Sequence, residues 1–334
     1  MLELSKESID IVMPWVDGND MEWQKEKKKY DETTSNGDNR IIRYRDWEML
    51  PYWFRGIEKY APWVRKIHFI TWGHLPKWLN TENKKLNIVK HSEYIPSKYL
   101  PTFSSHPIEL NIFRIKDLSE QFIYMNDDTY IVAPVSQKDF FEKGLPKDCA
   151  LEAIHQFKRG GIDHIVANDL EALNANFSKQ QVIRKNRKKW YSLQYKKHML
   201  KNLYVAPYKN FVGFENPHIA LPFLKSTFVE VWGREFDVLD KTCHNKFRSI
   251  SDVNQWLMRY WQFASGKFIP GNVELGRFFA IGKDDNNIKN AILNQKYKII
   301  CLSDDDENLN FDLEKKKICS YFEEILPEKS TFEL

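Results

Sequence analysis

The stretch "FIYMNDDTYI", residues 122–131, places two adjacent carboxylates at the end of an apolar run. Its aromatic and β-branched residues are typical of a buried strand. Asn126, Asp127 and Asp128 interrupt that run, and the apolar pattern then resumes. Polar residues at this position suit the carboxyl end of a strand in an α/β sheet, where loops converge and ligands bind.

Segments before this stretch alternate between strand-like and helix-like patterns, which predicts a mainly parallel sheet flanked by helices. Asp17 and Gly18 follow the first predicted strand, so they are expected on the same rim as Asp127 and Asp128. The predicted strands are residues 9–16, 66–72 and 86–91, and the predicted helices are 45–60 and 106–118.

The second half of the chain predicts a strand at 148–154, a helical, basic region reaching about residue 205, and three later helices. The segment "YKIICLSDDDEN" repeats the arrangement of a strand followed by carboxylates. Its acidic residues have an alternative interpretation as a cap for the next helix, because carboxylates favour the positive end of the helix dipole. The helices are predicted at 217–232, at 251–266 with Ser251 as cap and Gly266 as stop, and at 311–326.

Composition indicates a globular protein. The chain has 334 residues, of which 42% are hydrophobic and 14% aromatic, and this excludes the disordered class. It has no apolar run of the roughly 20 residues that a membrane span needs, and no signal-peptide pattern at its start. The four cysteines lack the spacing of a zinc site or disulfide scaffold. We therefore expect a cytoplasmic protein with reduced thiols.

Positive charge is concentrated in one segment. No acidic residue lies between Glu171 and Glu215, whereas residues 179–209 contain ten lysines and arginines. The net charge is +4, so the rest of the chain carries 4 − 10 = −6. One region is thus strongly cationic on a mildly acidic body, and it is a candidate for an anionic partner.

Several residue types suit chemistry on phosphates. Aspartates at strand ends are the hard oxygen ligands of Mg²⁺ or Mn²⁺, although such turns are also common as solvated loops. His218, near a predicted helix start, is a candidate general base, with a structural histidine as the alternative. Arg43, Arg45 and Arg248 are candidates for binding phosphate oxygens, with surface salt bridges as the alternative.

Several segments together resemble the four regions of the Stealth family. That family comprises bacterial capsule hexose-1-phosphate transferases and the N-acetylglucosamine-1-phosphotransferase of animals. The matches follow the family's order from residue 9 to about 308. They are "IDIVMPWVDGND"; "RYRDWEMLPYWFRGIEKYAPWVRKIHFITWGHLPKWL" continuing to "LPTFSSHPIELNIFRIKDLSEQFIYMNDD"; "PHIALPFLKS" with "FRSISDVNQWLMRYW"; and "CLSDDDEN".

The resemblance implies transfer of a sugar 1-phosphate from a UDP-sugar to a glycan hydroxyl, with release of UMP and a requirement for Mg²⁺ or Mn²⁺. It implies His218, Asp128 and Arg248 as catalytic residues. This chain departs from the family pattern at two positions. Phe113 stands where the family often has a second histidine, and Ser303 precedes Asp304 where the family usually has asparagine. The implied metal ligands are Asp127 and Asp128 together with the second acidic segment, in which Asp304, Asp305 and Asp306 stay open as alternatives. The residues expected to bind substrate are Asp17, Gly18, Arg43, Arg45, Ser105, Glu109 and Asn126.

The expected fold is one catalytic domain, residues 1–334, with a Rossmann-like or glycosyltransferase-A-like core and a basic helical insertion at 165–210. The basic segment has three open interpretations: it holds an anionic capsule polymer, it contacts anionic lipid at the inner face of the bacterial plasma membrane, or it is only solubilising. Two rival functions are a metal-dependent glycosyltransferase that releases UDP and a non-catalytic binder of nucleic acid or glycan. The binder leaves the acidic strand ends unexplained, so we expect no nucleic-acid partner.

Overall fold

The computed structural model describes residues 8–30, 47–157, 161–304, 306 and 309–334. Its strands are β1 (Ile9–Pro14), β2 (Ile67–Thr71), β3 (Leu86–Lys90), β4 (Gln121–Tyr124), β5 (Thr129–Ile131), β6 (Phe141–Glu142), β7 (Leu145–Asp148), β8 (Leu221–Leu224), β9 (Ile269–Pro270), β10 (Gly276–Ala280) and β11 (Ile299–Ser303). Its α-helices are α1 (Met21–Lys28), α2 (Leu50–Tyr60), α3 (His91–Tyr94), α4 (Ser105–Leu110), α5 (Gln137–Phe140), α6 (Asp163–Asn176), α7 (Lys179–Lys185), α8 (Arg187–Trp190), α9 (Met199–Tyr204), α10 (Lys225–Arg234), α11 (Phe236–His244), α12 (Gln255–Ala264), α13 (Asp285–Leu293) and α14 (Phe311–Ile325).

The main sheet has the strand order β3-β2-β1-β4-β8, in which the first four strands are parallel and β8 is antiparallel to β4. The order 3-2-1-4 is that of a doubly wound, Rossmann-like sheet. The described residues form two separate apolar cores, and β1 contributes Ile11 to one of them and Val12 to the other. Strands covered on both faces need near-continuous apolar sequence, as "IDIVMP" provides. The predicted α/β fold with a mainly parallel sheet is confirmed.

A second sheet joins distant parts of the chain next to the main one. β11 is parallel to β10 and antiparallel to β5, with Cys301 opposite Thr129. The acidic turn before β5 therefore lies alongside the carboxyl end of β11. Helix α2 packs against β5 at Gly56, where a Cβ atom would stand 2.5 Å from the Ile131 carbonyl oxygen. A third, small sheet has the order β6-β7-β9.

Two predicted helices are shorter than expected or differ in type. The helix predicted at 106–118 begins one residue earlier as α4, ends at Leu110 and is followed by a single 3-10 turn, Ile112–Arg114. Asn111 closes α4 by donating a side-chain hydrogen bond to the Pro107 carbonyl oxygen. The segment predicted as a helix at 217–232 contains β8, and its helix begins only at Lys225. A short apolar run is compatible with either a strand or a helix, and this one is a strand because it pairs with the edge of β4.

Two smaller boundaries also differ. The strand predicted at 148–154 overlaps β7 (Leu145–Asp148) only at Asp148. Within the rest of the predicted range, Glu152 forms an isolated bridge to Phe214. Helix α12 is capped by Asn254, whose side chain accepts from the Trp256 amide, so the predicted Ser251 cap is wrong. Its end agrees with the Gly266 stop, since Gly266 has a φ of +73°.

Helices α6 to α9 fill the region predicted as a basic helical insertion. Asn202 connects them to the body, because it donates to the carbonyl oxygens of Ala150 and Trp190 and accepts from the Glu152 amide. Lys179 is buried and forms an ion pair with Glu152 at 2.9 Å. None of the helices in the described part of the chain is long and apolar enough to cross a membrane.

Candidate active site

The NDD turn, Asn126–Asp127–Asp128, lies at the carboxyl end of β4 and is fixed through its backbone. Trp53 donates its indole N–H to the Asn126 carbonyl oxygen at 3.2 Å. The Leu302 amide donates to the Asp128 carbonyl oxygen at 2.9 Å. Because Leu302 belongs to β11, this bond brings the strand that ends just before Asp304 onto the turn. The two acidic segments singled out in the sequence are therefore neighbours.

Asp128 is the partly buried carboxylate of the turn, whereas Asp127 is exposed. Asp128 accepts from the Thr129 hydroxyl at 3.2 Å and from the Cys301 thiol. Burial raises the pKa of Asp128, and the charge of His218 is the largest influence in the opposite direction. A nearby cation would therefore stabilise the ionised form of Asp128.

His218 lies in the connection before β8, not at the start of a helix as the sequence predicts. Its backbone has a φ of +43°, a left-handed conformation that is uncommon for a residue with a side chain. Its exposed imidazole contacts the Trp256 ring edge-on at a centroid distance of 5.5 Å and the Phe278 ring at 5.9 Å. Phe278 is opposite Cys301 in the second sheet, so the ring contacts place His218 beside the partners of Asp128.

A second group of site residues surrounds Glu109. Tyr124 donates its hydroxyl to Glu109 Oε1 at 3.1 Å, and Arg248 Nη2 donates to Ser105 Oγ at 3.2 Å. Burial raises the pKa of Glu109, while the charges of His106 and Arg248 oppose the rise. The pKa of Tyr124 is raised by burial, by Glu109 and by the two aspartates of the NDD turn. Tyr124 thus connects this group to Asp128.

Asp252 holds the loop that carries Arg248. It accepts from the Ser249 amide at 2.9 Å and from the Asn245 side chain at 2.6 Å. His106 Nδ1 lies 2.8 Å from Asp252 Oδ2, and both side chains are buried. Arg248 is therefore presented from a loop that is braced against α4, the helix that contains Glu109.

Asp17 and Gly18 follow β1, which is the parallel neighbour of β4, so they lie on the same rim as the NDD turn. The Asp17 amide donates to His74 Nε2 at 2.8 Å, and Asp17 Oδ1 accepts from the Asn19 amide at the same distance. Burial lowers the pKa of His74, which favours the neutral ring that this acceptor role requires. Gly18 accepts from the Gln24 side chain through its carbonyl oxygen at 2.7 Å.

Sequence reasoning missed four contributors to the site: Tyr124, His74, Cys301 and the ring contact of Trp256. Trp256 is also a core residue, since it is 4% exposed. Three predicted site residues, Arg43, Arg45 and Asp305, lie outside the described residues. Asp304 and Asp306 are described, and both are partly buried beyond the end of β11.

Comparisons with known proteins identify the family. Models of "Stealth protein CR1, conserved region 1" and "Stealth protein CR2, conserved region 2" match residues 7–35 and 43–148. A capsular polysaccharide phosphotransferase, WcwK of Streptococcus pneumoniae, is 44% identical over 329 residues, which is 98% of each chain. The chain belongs to the Stealth family.

Other relatives of this Stealth protein carry related names. Receptor polysaccharide phosphotransferase WefC of Streptococcus gordonii is 40% identical and covers 98% of this chain and 99% of its own. Exopolysaccharide phosphotransferase cps2G of Lactiplantibacillus plantarum is 38% identical, with 97% and 96% covered. Among solved structures, the apo form of the bifunctional glycosyltransferase WbbM aligns at 10% identity with a TM-score of 0.40, over 98% of this chain and 53% of its own. The prediction of a phosphotransferase enzyme is confirmed by the sequence relatives.

The matched Stealth regions contain part of the site. Conserved region 1 includes Asp17 and Gly18, and conserved region 2 includes Ser105, Glu109 and the NDD turn. His218, Arg248 and Asp304 lie beyond both matched regions, so their assignment to the family's third and fourth regions stays a prediction. The structure nevertheless brings His218 within electrostatic reach of Asp128 and joins Arg248 to Ser105 by a hydrogen bond.

A divalent cation suits the oxygen donors around the NDD turn. Burial raises the pKa of the Asp128 carboxylate, and Asp304 follows β11, the strand whose Leu302 amide donates to the Asp128 backbone carbonyl oxygen. Across the described residues, no group of three or more histidine, cysteine, aspartate or glutamate side chains is arranged to hold a metal ion alone. Mg²⁺ is commonly bound by one or two carboxylates together with substrate phosphates, and this donor set fits that pattern.

Proposed function

We propose that this Stealth protein transfers a sugar 1-phosphate from a UDP-sugar to a hydroxyl group of a glycan, in the synthesis of a capsular or other cell-surface polysaccharide. Its relatives are named as phosphotransferases of capsular, receptor and exopolysaccharides, which supports this class of acceptor. The observation that carries the proposal is that the His218 ring lies within electrostatic reach of the partly buried Asp128 carboxylate at the rim of the main sheet. A candidate general base, His218, thus lies near a carboxylate, Asp128, that is suited to bind a divalent cation together with the donor phosphates.

The proposed step is a displacement at the β-phosphorus of the donor. The acceptor oxygen forms a bond to that phosphorus as the acceptor proton passes to His218, and the bond to the oxygen shared with the α-phosphate breaks. The electron pair of the broken bond leaves with UMP. The bond between the sugar and its phosphate oxygen stays intact, so the product is a phosphodiester that keeps the anomeric configuration of the donor.

Other residues of the site bind and orient the substrates in this proposal. Arg248 stabilises the equatorial oxygens of the transferred phosphoryl group, and Ser105 and Glu109 hold the Arg248 side chain and the sugar. The donor is also bound by Asn126, Asp17 and Gly18, with Arg43 and Arg45 as predicted phosphate ligands. The proposed ligands of Mg²⁺ or Mn²⁺ come from Asp127, Asp128, Asp304 and Asp305, one or two of which would hold the ion together with the donor phosphates. The bound ion would neutralise charge on the diphosphate.

The decisive experiment identifies the nucleotide product. Purified protein is incubated with individual UDP-sugars, Mg²⁺ and an oligosaccharide primer, and the nucleotides are separated by chromatography. We expect UMP, and we expect a chelator to abolish its release. Formation of UDP without UMP would replace the proposal by its rival, a glycosyltransferase that attacks the anomeric carbon.

A matched pair of variants locates this activity. Asp128→Asn should lower UMP release at least a hundredfold, since it removes a charged ligand from the proposed metal site. Asp237→Asn makes the same change on the exposed face of α11 and should retain full activity. If Asp128→Asn were as active as Asp237→Asn, while neutral substitutions at 184–189 abolished function, the binder would be the better interpretation. The proposed place of action is the cytoplasmic side of the plasma membrane.

A further inference from the structure

The helix α9 and its flanks expose large apolar side chains on a surface outside the active site. Leu193 is 86% exposed, Leu200 is 61% exposed and Tyr204 is 74% exposed. Leu200, Leu203 and Tyr204 have the i, i+3, i+4 spacing that places side chains on one face of a helix. We call this the α9 surface; it consists of Leu193, Leu200, Leu203, Tyr204 and Tyr208.

Positive charge surrounds the α9 surface. Lys197 and Lys209 are exposed and form no ion pair with any residue that the structure describes. Arg187 and Lys188 are also exposed, and their helix α8 ends at Trp190, whose carbonyl oxygen accepts from Asn202 in α9. No acidic residue lies from 172 to 214, so every charged side chain of this segment is basic, and Glu215 and Glu274 from outside it pair with Lys201 and Lys196.

The apolar side chains are held outward by the packing underneath them. Asn202, on the opposite side of α9, and Val205, which follows the last residue of the helix, are buried, and Asn202 makes its three hydrogen bonds to the body of the protein. The buried Lys179 also donates to the Val205 carbonyl oxygen at 2.7 Å. Because the inward face is already occupied, α9 cannot bury its leucines by rotating.

We infer that the α9 surface docks onto a membrane that contains anionic phospholipid. Leucine and tyrosine side chains flanked by lysine are the composition of helices that lie in the membrane interface, with apolar groups at the acyl boundary and basic groups at the headgroups. A surface that only kept the protein soluble would not expose leucine at positions 193, 200 and 203. An anionic glycan would be bound by the lysines and tyrosine but would gain little from the leucines.

The α9 surface is also connected to the candidate active site. Lys201 in α9 forms an ion pair with Glu215, and Glu215 is three residues before His218. Docking would therefore place the His218 connection near the lipid headgroups. Only one consequence of the inference rests on the proposed function, which is that the glycan acceptor is presented at the membrane. Lipid binding itself requires neither donor nor acceptor, so it can fail or succeed independently of UMP release.

The test is cosedimentation of the full-length protein with lipid vesicles. One set is pure phosphatidylcholine, and the other contains about one third phosphatidylglycerol. We expect binding to the anionic vesicles, with weaker binding in high salt. The variant Leu200→Gln/Leu203→Gln/Tyr204→Ser should lower the partition coefficient roughly tenfold or more by removing apolar burial. The variant Lys197→Glu/Lys209→Glu should lower it by a similar factor, since each basic residue near the surface contributes about fivefold.

Matched control variants use exposed positions elsewhere. Lys84→Glu/Lys283→Glu makes the same charge change far from α9 in sequence, and Val229→Ser removes an exposed apolar group from α10; both should bind vesicles like the parent protein. Circular dichroism verifies that each variant is folded. Equal binding to both vesicle types, or unchanged binding by both α9 variants, would overturn the inference. So would a dimer in solution that the apolar variant dissociates, or binding of dextran sulfate that the lysine variant alone abolishes.

Discussion

The left-handed backbone of His218 permits a sharp test of its role as a base. Asparagine adopts a positive φ far more readily than alanine, so His218→Asn removes the basic nitrogen while keeping the φ of +43°. General base catalysis contributes about 10² to 10⁴ in rate. We therefore expect His218→Asn to lower the turnover number by that factor. The Michaelis constant for the donor should change little, since the proposed contact of His218 is with the acceptor hydroxyl.

The assay is UMP release under saturating donor, measured over a range of pH. Exogenous imidazole should restore part of the activity of His218→Gly, because glycine accepts the same φ and leaves a space beside Trp256. His244→Asn, at an exposed histidine on α11, is the control for nonspecific effects. A rate for His218→Asn within about threefold of the parent protein would refute the assignment of the base.

Two further predictions concern stability and the support of the His218 connection. Burial, reinforced by the charge of His74, lowers the pKa of His91 from 6.5 to about 4, so the folded state binds fewer protons than the unfolded state between these values. Stability should therefore fall as pH drops from 6.5 to 4, by up to roughly 3 kcal/mol in urea unfolding, and His91→Gln should flatten this dependence; an unchanged slope would contradict it. Arg259→Leu should lower the free energy of unfolding by about 3 to 5 kcal/mol, because it leaves the buried Asp148 without its bidentate partner at 2.6 and 2.8 Å. It should also lower UMP release, since Arg259 donates to the carbonyl oxygen of Glu215 at 2.6 Å and so supports the His218 connection. A decrease in the free energy of unfolding below about 1 kcal/mol would show that Asp148 finds another partner.

The strands of the main sheet were predictable because both faces are covered. A short apolar run bounded by polar residues, such as residues 9–16 or 122–125, has few alternatives to a buried parallel strand. β8 could not be recognised in this way. Its four apolar residues run directly into the helix α10, and only the unpaired edge of β4 makes Leu221–Leu224 extended. That edge is a tertiary feature with no local signal.

The candidate site was predictable in its charged residues and not in its neutral ones. Aspartates at strand ends and a histidine beside a proline are conspicuous in the sequence, so Asp128 and His218 were singled out as candidates. Cys301 and Tyr124 resemble ordinary core residues, and they are in fact buried. Their contacts with Asp128 and Glu109 depend on which residues face each other across strands and helices. Single-sequence patterns do not specify that pairing.

The register between β5 and β11 therefore governs how the site is assembled. Cys301 is opposite Thr129, and successive strand residues point to opposite faces. A slip of one residue would turn Cys301 away from Asp128 and would move Asp304 along the NDD turn. Ile299 and Cys301 on one face of β11, and Ile300 and Leu302 on the other, are all buried, which makes such a slip costly. The apolar core thus fixes the relative position of the two acidic segments, although none of its residues has a chemical role in the reaction.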